Sequence, residues 1–126
     1  MRILVADDNP INQKLIYYSL KQFFDIEVAN NGEEVLSLLQ VKPIDLILMD
    51  LAMPVMDGAE TTEKIRLMEK NTSHRIPILF VTTSDFETDR QRCLALGADE
   101  YLVKPVNTET LLGKINSYIN FQPVSI

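Results

Sequence analysis

Three carboxylates, a hydroxyl and an ammonium follow the ends of short apolar runs in this sequence. They belong to Asp7, Asp8, Asp50, Thr82 and Lys104. Each run is typical of a buried strand. If the ends of these strands meet, close carboxylates would repel one another by ~4 kcal/mol per pair at an effective dielectric of about 20. Such a cluster requires a divalent cation, and all-oxygen ligands favour Mg²⁺ or Mn²⁺.

The same set of side chains predicts phosphoryl-transfer chemistry. The Asp50 carboxylate can attack phosphorus as a nucleophile, while the cation and Lys104 neutralise the phosphoryl oxygens. Taken singly, these residues have ordinary explanations. Asp7 and Asp8 could be acids favoured at a helix N-terminus, and Lys104 could be a surface charge. The functional hypothesis therefore depends on the whole set lying together.

The elements that would position these residues are indicated by the apolar runs. Five runs predict strands: residues 3–6, 26–29, 46–49, 78–81 and 101–103. Several are continuous rather than alternating, as in strands that are buried on both faces of a parallel sheet. Segments with helical spacing separate the runs.

Capping residues, prolines and glycines indicate the helix ends. Asn9 should cap the first helix, with Pro10 in its first turn, and Asn107 should cap the last. The second helix should start after Gly32, and the third should cover residues 59–69. Asp85 should cap the fourth helix, which should end at Gly97. This (βα)5 alternation predicts an α/β fold, a doubly wound five-stranded parallel sheet. Right-handed crossovers bring all strand C-termini to one edge, where ligands bind in such folds.

The composition limits which classes of partner and which cellular compartment are expected. The net charge of -6 disfavours direct nucleic-acid binding, because there is no basic excess to release counterions. No apolar run reaches the length of a membrane span. The single cysteine, Cys93, cannot form an internal disulfide, which indicates a reducing compartment. We therefore expect a cytoplasmic protein with no membrane insertion and no direct contact with nucleic acid.

The chain resembles a response-regulator receiver domain of two-component signalling over its whole length. The stretches that carry the resemblance, in the family's order and spacing, are ILVADDNPINQKLI, VANNGEEVL, DLILMDLAMPVMDG, PILFVTTSD and GADEYLVKPV. The DDNPIN opening resembles receivers attached to hybrid sensor kinases more than those of DNA-binding regulators. The resemblance implies the flavodoxin-like receiver fold with strand order 2-1-3-4-5. The domain would cover residues 1–121, and a C-terminal tail would cover residues 122–126.

The resemblance also implies the role of each acidic residue. Asp50 would be the phosphoacceptor, and a histidine kinase or histidine phosphotransfer protein would be the donor. Asp8 would ligate Mg²⁺ directly and Asp7 mainly through water. Asp50 and the backbone carbonyl of Ala52 would supply further ligands, and Mn²⁺ could replace Mg²⁺.

The remaining family roles concern the response to phosphorylation. Thr82 and Lys104 would bind the phosphoryl oxygens, and the Lys104–Pro105 bond would be cis, which only an X-Pro bond readily adopts. Thr82 and Tyr101 would form a switch. It would shift the face made by the fourth helix, the fifth strand and the last helix, and so control partner binding or a phosphorylation-dependent dimer. The family would dephosphorylate itself slowly, without turnover of an external substrate.

The resemblance also implies that Ala52, Thr83 and Ser84 lie at the mouth of the site. Thr83 stands where the family usually has a very small residue, and Ala52 stands where a polar residue is frequent. Ala52 also weighs against the main alternative, a Mg²⁺-dependent phosphohydrolase of haloacid-dehalogenase type. That class needs a second aspartate two residues after the nucleophile. A pseudo-receiver that only binds partners would be expected to have lost site residues, and this sequence retains them.

Overall fold

The computed structural model describes residues 1–119, in which five strands alternate with five helices. In chain order they are β1 (Arg2–Ala6), α1 (Pro10–Leu20), β2 (Asp25–Ala29), α2 (Gly32–Val41), β3 (Leu46–Met49), α3 (Gly58–Glu69), β4 (Ile78–Thr82), α4 (Glu87–Ala95), β5 (Glu100–Val103) and α5 (Thr108–Tyr118). Every predicted strand is confirmed to within one residue at each end. The predicted domain end at residue 121 and the tail at residues 122–126 lie outside the described residues.

The strands form one parallel sheet in the order β2-β1-β3-β4-β5. In this register Val5 of β1 lies between Val28 of β2 and Leu48 of β3. The chain passes from β1 to β2 on one side and then crosses to β3 on the other. The carboxyl ends of β1 and β3 therefore border the crevice in which doubly wound folds bind ligands. The predicted fold and strand order are confirmed.

The core lies on both faces of the sheet, which explains the continuous apolar runs. All of β3 is buried. Its residues Ile47 and Met49 pack in a cluster with α2, α3 and α4, while Leu46 and Leu48 pack with α1 and α5. Because successive side chains of a strand point to opposite faces, a strand covered on both sides needs apolar residues at every position.

Side chains cap four of the helices. Asn9 and Asn107 accept hydrogen bonds from backbone N–H groups in the first turns of α1 and α5, so both predicted caps are confirmed. The starts predicted for α2 and α3 were each one residue late. Asn31 and Asp57 are the capping residues there, which makes Gly32 and Gly58 the first helical residues.

The predicted N-cap at Asp85 was wrong. Helix α4 begins at Glu87, and Phe86 occupies the N-cap position without a side-chain capping bond, so Asp85 lies one residue too early. The C-terminal end of α4 is as expected. Gly97 has φ of 118° just after the C-cap residue Leu96, a backbone conformation that favours glycine.

Gly58 allows α3 to begin directly against the loop that follows β3. A Cβ atom at this position would lie 2.2 Å from the backbone oxygen of Asp50 and 2.9 Å from side-chain atoms of Met49 and Phe80. The Gly58 N–H also donates to the Leu51 carbonyl at 2.8 Å. The first turn of α3 therefore fixes the backbone on which Asp50 stands.

Candidate functional site

The carboxyl edge of the sheet brings the predicted acidic residues together. One carboxylate oxygen from each of Asp7, Asp8 and Asp50 lies within 4.8 Å of the others. Lys104, which follows β5, reaches the same place. Its Nζ atom lies 2.8 Å from Asp7 Oδ2 and 3.5 Å from Asp50 Oδ2. The convergence expected from the parallel topology is therefore present in the structure.

Asp7 is the buried member of this cluster, with 2% of its surface exposed. Its Oδ1 atom accepts a hydrogen bond from the Asn9 N–H at 2.9 Å, and its Oδ2 atom accepts one from Lys104. The Asp7 N–H donates to the Ala29 carbonyl at 3.0 Å. These contacts fix the orientation of the Asp7 carboxylate, whereas Asp8 is exposed and Asp50 is half-buried.

The electrostatic environment of Asp50 opposes its ionisation. Burial raises the pKa of this carboxyl above its ordinary value, and the nearby Asp7 charge raises it further. The Lys104 charge and hydrogen bonds from Thr82 and Lys104 act in the opposite direction without cancelling the effect. A cation bound beside Asp50 would favour the carboxylate, which is the nucleophilic form.

The donor set fits a hard divalent cation. The carboxylates of Asp7, Asp8 and Asp50 are oxygen ligands, and their oxygens are close enough together to share one ion. Mg²⁺ is commonly bound through a few carboxylates with water in its remaining positions. Ala52 lies two residues beyond Asp50 in an exposed loop, where its backbone carbonyl could contribute. The residues present therefore suit Mg²⁺.

The loop after β4 joins Thr82 to Tyr101 through Ser84. Thr82 is buried, and its Oγ1 atom accepts a long hydrogen bond from the Ser84 N–H at 3.4 Å. The Tyr101 hydroxyl donates to the Ser84 carbonyl at 3.0 Å, and the Tyr101 ring stacks on Phe80 with centroids 6.0 Å apart. Thr82 and Tyr101, predicted as a switch pair, thus contact the same intervening residue.

Two contacts around the site were not predicted. The Ser84 hydroxyl donates to Asp89 Oδ2 at 2.6 Å, which ties the loop to the first turn of α4. The side chain of Gln13 in α1 donates to the Asp7 backbone carbonyl. Neither residue type has a sequence signal for such a contact, because both bonds join segments whose relative placement depends on the tertiary fold.

Thr83 borders a cavity between the loop after β4 and the helices α1 and α5. It is exposed and lines this cavity of about 350 Å³ together with Leu15, Lys104, Pro105 and Leu111. The Lys104–Pro105 peptide bond that borders this cavity is cis. Thr83 therefore shares this cavity with Leu15 of α1 and with Lys104.

Mg²⁺ is expected to raise the free energy of unfolding, because only the folded chain assembles all three carboxylates. A metal concentration 100 times the dissociation constant would add about 2.7 kcal/mol. Thermal melts with Mg²⁺ and with a chelator measure this shift. Asp8→Ala should remove the shift and raise the midpoint of the metal-free protein, because it relieves like-charge repulsion. An unchanged wild-type midpoint at millimolar Mg²⁺ would contradict the metal assignment.

Comparisons with known proteins agree with this geometry. The family model described as response regulator receiver domain matches residues 3–116. Hybrid signal transduction histidine kinase I of Dictyostelium discoideum is 40% identical over 124 residues, which cover 94% of this chain and 7% of that kinase. The chain thus spans less than a tenth of the length of this relative. The comparisons do not support the haloacid-dehalogenase alternative.

Two solved structures share the fold over almost the whole chain. The receiver domain of sensor histidine kinase PA1611 from Pseudomonas aeruginosa PAO1, with a magnesium ion coordinated in its active site cleft, has a TM-score of 0.83 and 30% identity. The match covers 93% of this chain and 95% of that one. The receiver domain of Saccharomyces cerevisiae Ssk1, in complex with the histidine phosphotransfer protein Ypd1, has a TM-score of 0.86 and 31% identity, with coverage of 94% and 88%.

No helix within residues 1–119 combines the length and the apolar character needed to cross a membrane.

Proposed function

The chain belongs to the response regulator receiver domain family, and on that basis we propose that Asp50 accepts a phosphoryl group from a phosphohistidine donor. One observation carries the assignment of Asp50. Its carboxylate follows β3, in contact with Lys104 and within 4.8 Å of the carboxylates of Asp7 and Asp8. Among residues 1–119, no aspartate other than these three lies in such a cluster, and Asp50 is the one that follows the central strand β3.

In the proposed reaction, an Asp50 oxygen attacks phosphorus in line with the leaving imidazole nitrogen. The new O–P bond forms as the P–N bond breaks, and the imidazole leaves with the bonding electron pair and is protonated by solvent. Lys104 and the Thr82 hydroxyl donate to the phosphoryl oxygens. Bound Mg²⁺, held by Asp7, Asp8, Asp50 and the Ala52 carbonyl, would supply charge neutralisation, and Mn²⁺ has ligand preferences that fit the same oxygens.

Phosphorylation would then act through the contacts of Ser84. If Thr82 turns toward the phosphoryl group, its bond with the Ser84 N–H changes, and Ser84 in turn contacts Tyr101 and Asp89. The two-state element would be the face formed by α4, β5 and α5. A shift of this face would control partner binding, including a phosphorylation-dependent dimer.

The donor would be a histidine kinase or a histidine phosphotransfer protein that docks on α1. This helix exposes the apolar side chains of Ile11, Leu15 and Tyr18, which are each more than 60% exposed beside the site. A group of exposed apolar residues on one helix is typical of an interaction surface. The acidic chain would make no direct contact with nucleic acid.

We propose that the phosphorylated chain hydrolyses its own aspartyl phosphate slowly and does not turn over an external substrate. Ala52 carries no acid or base two residues after the acceptor. A cytoplasmic location is consistent with Cys93, which is a free and fully buried thiol.

Labelling with a small phosphodonor tests the proposed function. We expect incubation with acetyl phosphate and Mg²⁺ to add the mass of one phosphoryl group, and a chelator to prevent it. Borohydride reduction converts an aspartyl phosphate to an alcohol, so peptide mass spectrometry can locate the modified residue. Modification at Asp50 supports the proposal. The absence of a mass increase, or modification at another residue, would refute it.

A further inference from the structure

Gln13 connects two loops that border the acidic cluster. It lies in the second turn of α1 and is partly buried. Its side-chain amide nitrogen donates to the backbone carbonyl of Asp7 and, at 2.7 Å, to Oδ1 of Asn30. One NH₂ group has two hydrogens and can make both bonds at once. Gln13 thus joins the loop after β1 to the loop after β2.

The far end of this connection is itself fixed. Both the backbone N–H and the side-chain Nδ2 of Asn30 donate to Glu34 Oε1, at 3.0 and 3.1 Å. Glu34 lies in the first turn of α2, which is capped by Asn31. Asn30 is therefore anchored to α2, and its Oδ1 atom is a stationary acceptor for Gln13.

The near end of the connection is the peptide unit that carries the metal-binding carboxylates. The Asp7 N–H is held by the Ala29 carbonyl and the Asp7 carbonyl by Gln13, so the backbone is restrained on both sides of the residue. The Asp7 carbonyl belongs to the peptide bond that leads into Asp8. A rotation of this peptide would move the Asp8 carboxylate relative to those of Asp7 and Asp50.

We propose that Gln13 is a positioning residue for the divalent cation site. It holds the Asp7–Asp8 peptide in the orientation that directs both carboxylates toward Asp50. This inference rests on the proposed function only for the identity of the cation. Residues that orient metal ligands commonly change metal affinity by about 10- to 100-fold when they are replaced.

The test compares Gln13→Met with Gln22→Met. Methionine keeps the length of the side chain and loses both donors. Gln22 is exposed just beyond α1 and makes no side-chain hydrogen bond within residues 1–119, so it is a matched control. Mg²⁺ titrations followed by the amide NMR shifts of the site should give a dissociation constant about 10-fold higher for Gln13→Met. Gln22→Met should match wild type.

Labelling kinetics separate positioning from general damage to the fold. For Gln13→Met, the Mg²⁺ concentration that gives half-maximal labelling should rise about 10-fold, while the rate at saturating Mg²⁺ stays within about 2-fold of wild type. If Gln13→Met does not fold, Asn30→Ala provides the second test, since it removes the fixed acceptor from an exposed loop. It should weaken Mg²⁺ binding several-fold.

Unchanged Mg²⁺ affinity in folded Gln13→Met, or in Asn30→Ala where that variant is used, would overturn the inference. A failure of the proposed function would give a different experimental result. In that case wild type would bind Mg²⁺ without becoming phosphorylated, and the comparison of affinities between variants would still decide the role of Gln13.

Discussion

Replacing Asp50 by Asn is expected to abolish phosphorylation of the chain and, without metal, to raise its thermal midpoint at neutral pH. The amide has nearly the same shape as the carboxyl group but is a far weaker nucleophile, so the loss of labelling should be complete within detection. The gain in stability follows from the environment of Asp50. Burial and the Asp7 charge raise the pKa of the Asp50 carboxyl, so its ionised form destabilises the folded state.

The direction of the Asp50 pKa shift determines how the stability gain of Asp50→Asn depends on pH. The pKa of Asp50 is higher in the folded chain than in the unfolded chain, so the folded chain holds its proton more tightly. Wild type therefore loses stability as pH rises from the unfolded pKa through the folded pKa. The advantage of Asp50→Asn should be largest above the folded pKa and shrink as pH falls through it.

Thermal melts of both proteins in chelator, over a series of pH values, measure this difference. Asp85→Asn is a suitable control, because Asp85 is an exposed loop aspartate outside the acidic cluster. A difference in midpoint that does not vary with pH would contradict the explanation from burial. Phosphorylation of Asp50→Asn at the wild-type rate would contradict the assignment of the acceptor.

The sequence contained enough information to predict the strands and the meeting of the site residues. A strand covered on both faces must be apolar at each position, and β3 shows this in four consecutive residues. Once the strands are parallel, their carboxyl ends lie at one edge by topology alone. The grouping of Asp7, Asp50 and Lys104 therefore needed no knowledge of side-chain packing, whereas the strand order came from the family resemblance.

Contacts between loops could not be predicted in this way. The bonds from Ser84 to Asp89 and from Gln13 to Asp7 depend on backbone angles and rotamers that no periodic pattern encodes. The start of α4 illustrates the same limit. An aspartate at position 85 is a good capping residue by type, but the loop places Phe86 at the N-cap. The N-cap propensity of Asp85 therefore did not determine where α4 begins, because the conformation of the loop did.

The position of the Lys104 ammonium is another result of packing, and it leads to the second large effect. Its Nζ atom is closer to buried Asp7, at 2.8 Å, than to Asp50, at 3.5 Å. In the structure, the Lys104 ammonium balances the charge of Asp7. In the proposed reaction, it would also donate to a phosphoryl group formed on Asp50.

Lys104→Met should consequently reduce both labelling and stability. The variant keeps an apolar stem and loses the charge. Without a cationic donor to the phosphoryl oxygens, labelling should slow by ~100-fold or more at saturating Mg²⁺. Asp7, 2% exposed, would keep its Asn9 bond but lose its ion-pair partner. Breaking a buried ion pair from one side costs on the order of 3 kcal/mol in the free energy of unfolding.

Lys114→Met is the matched control for Lys104→Met. Lys114 also forms a lysine–carboxylate pair, with Glu100 at 2.8 Å, but its side chain is 42% exposed. Such a pair contributes less than about 1 kcal/mol, and it lies outside the site. Urea unfolding in chelator should separate the two variants clearly, and Mg²⁺ should recover part of the stability lost in Lys104→Met, because the cation replaces the missing positive charge beside Asp7. Equal losses in the two variants would show that Lys104 does not balance a buried charge.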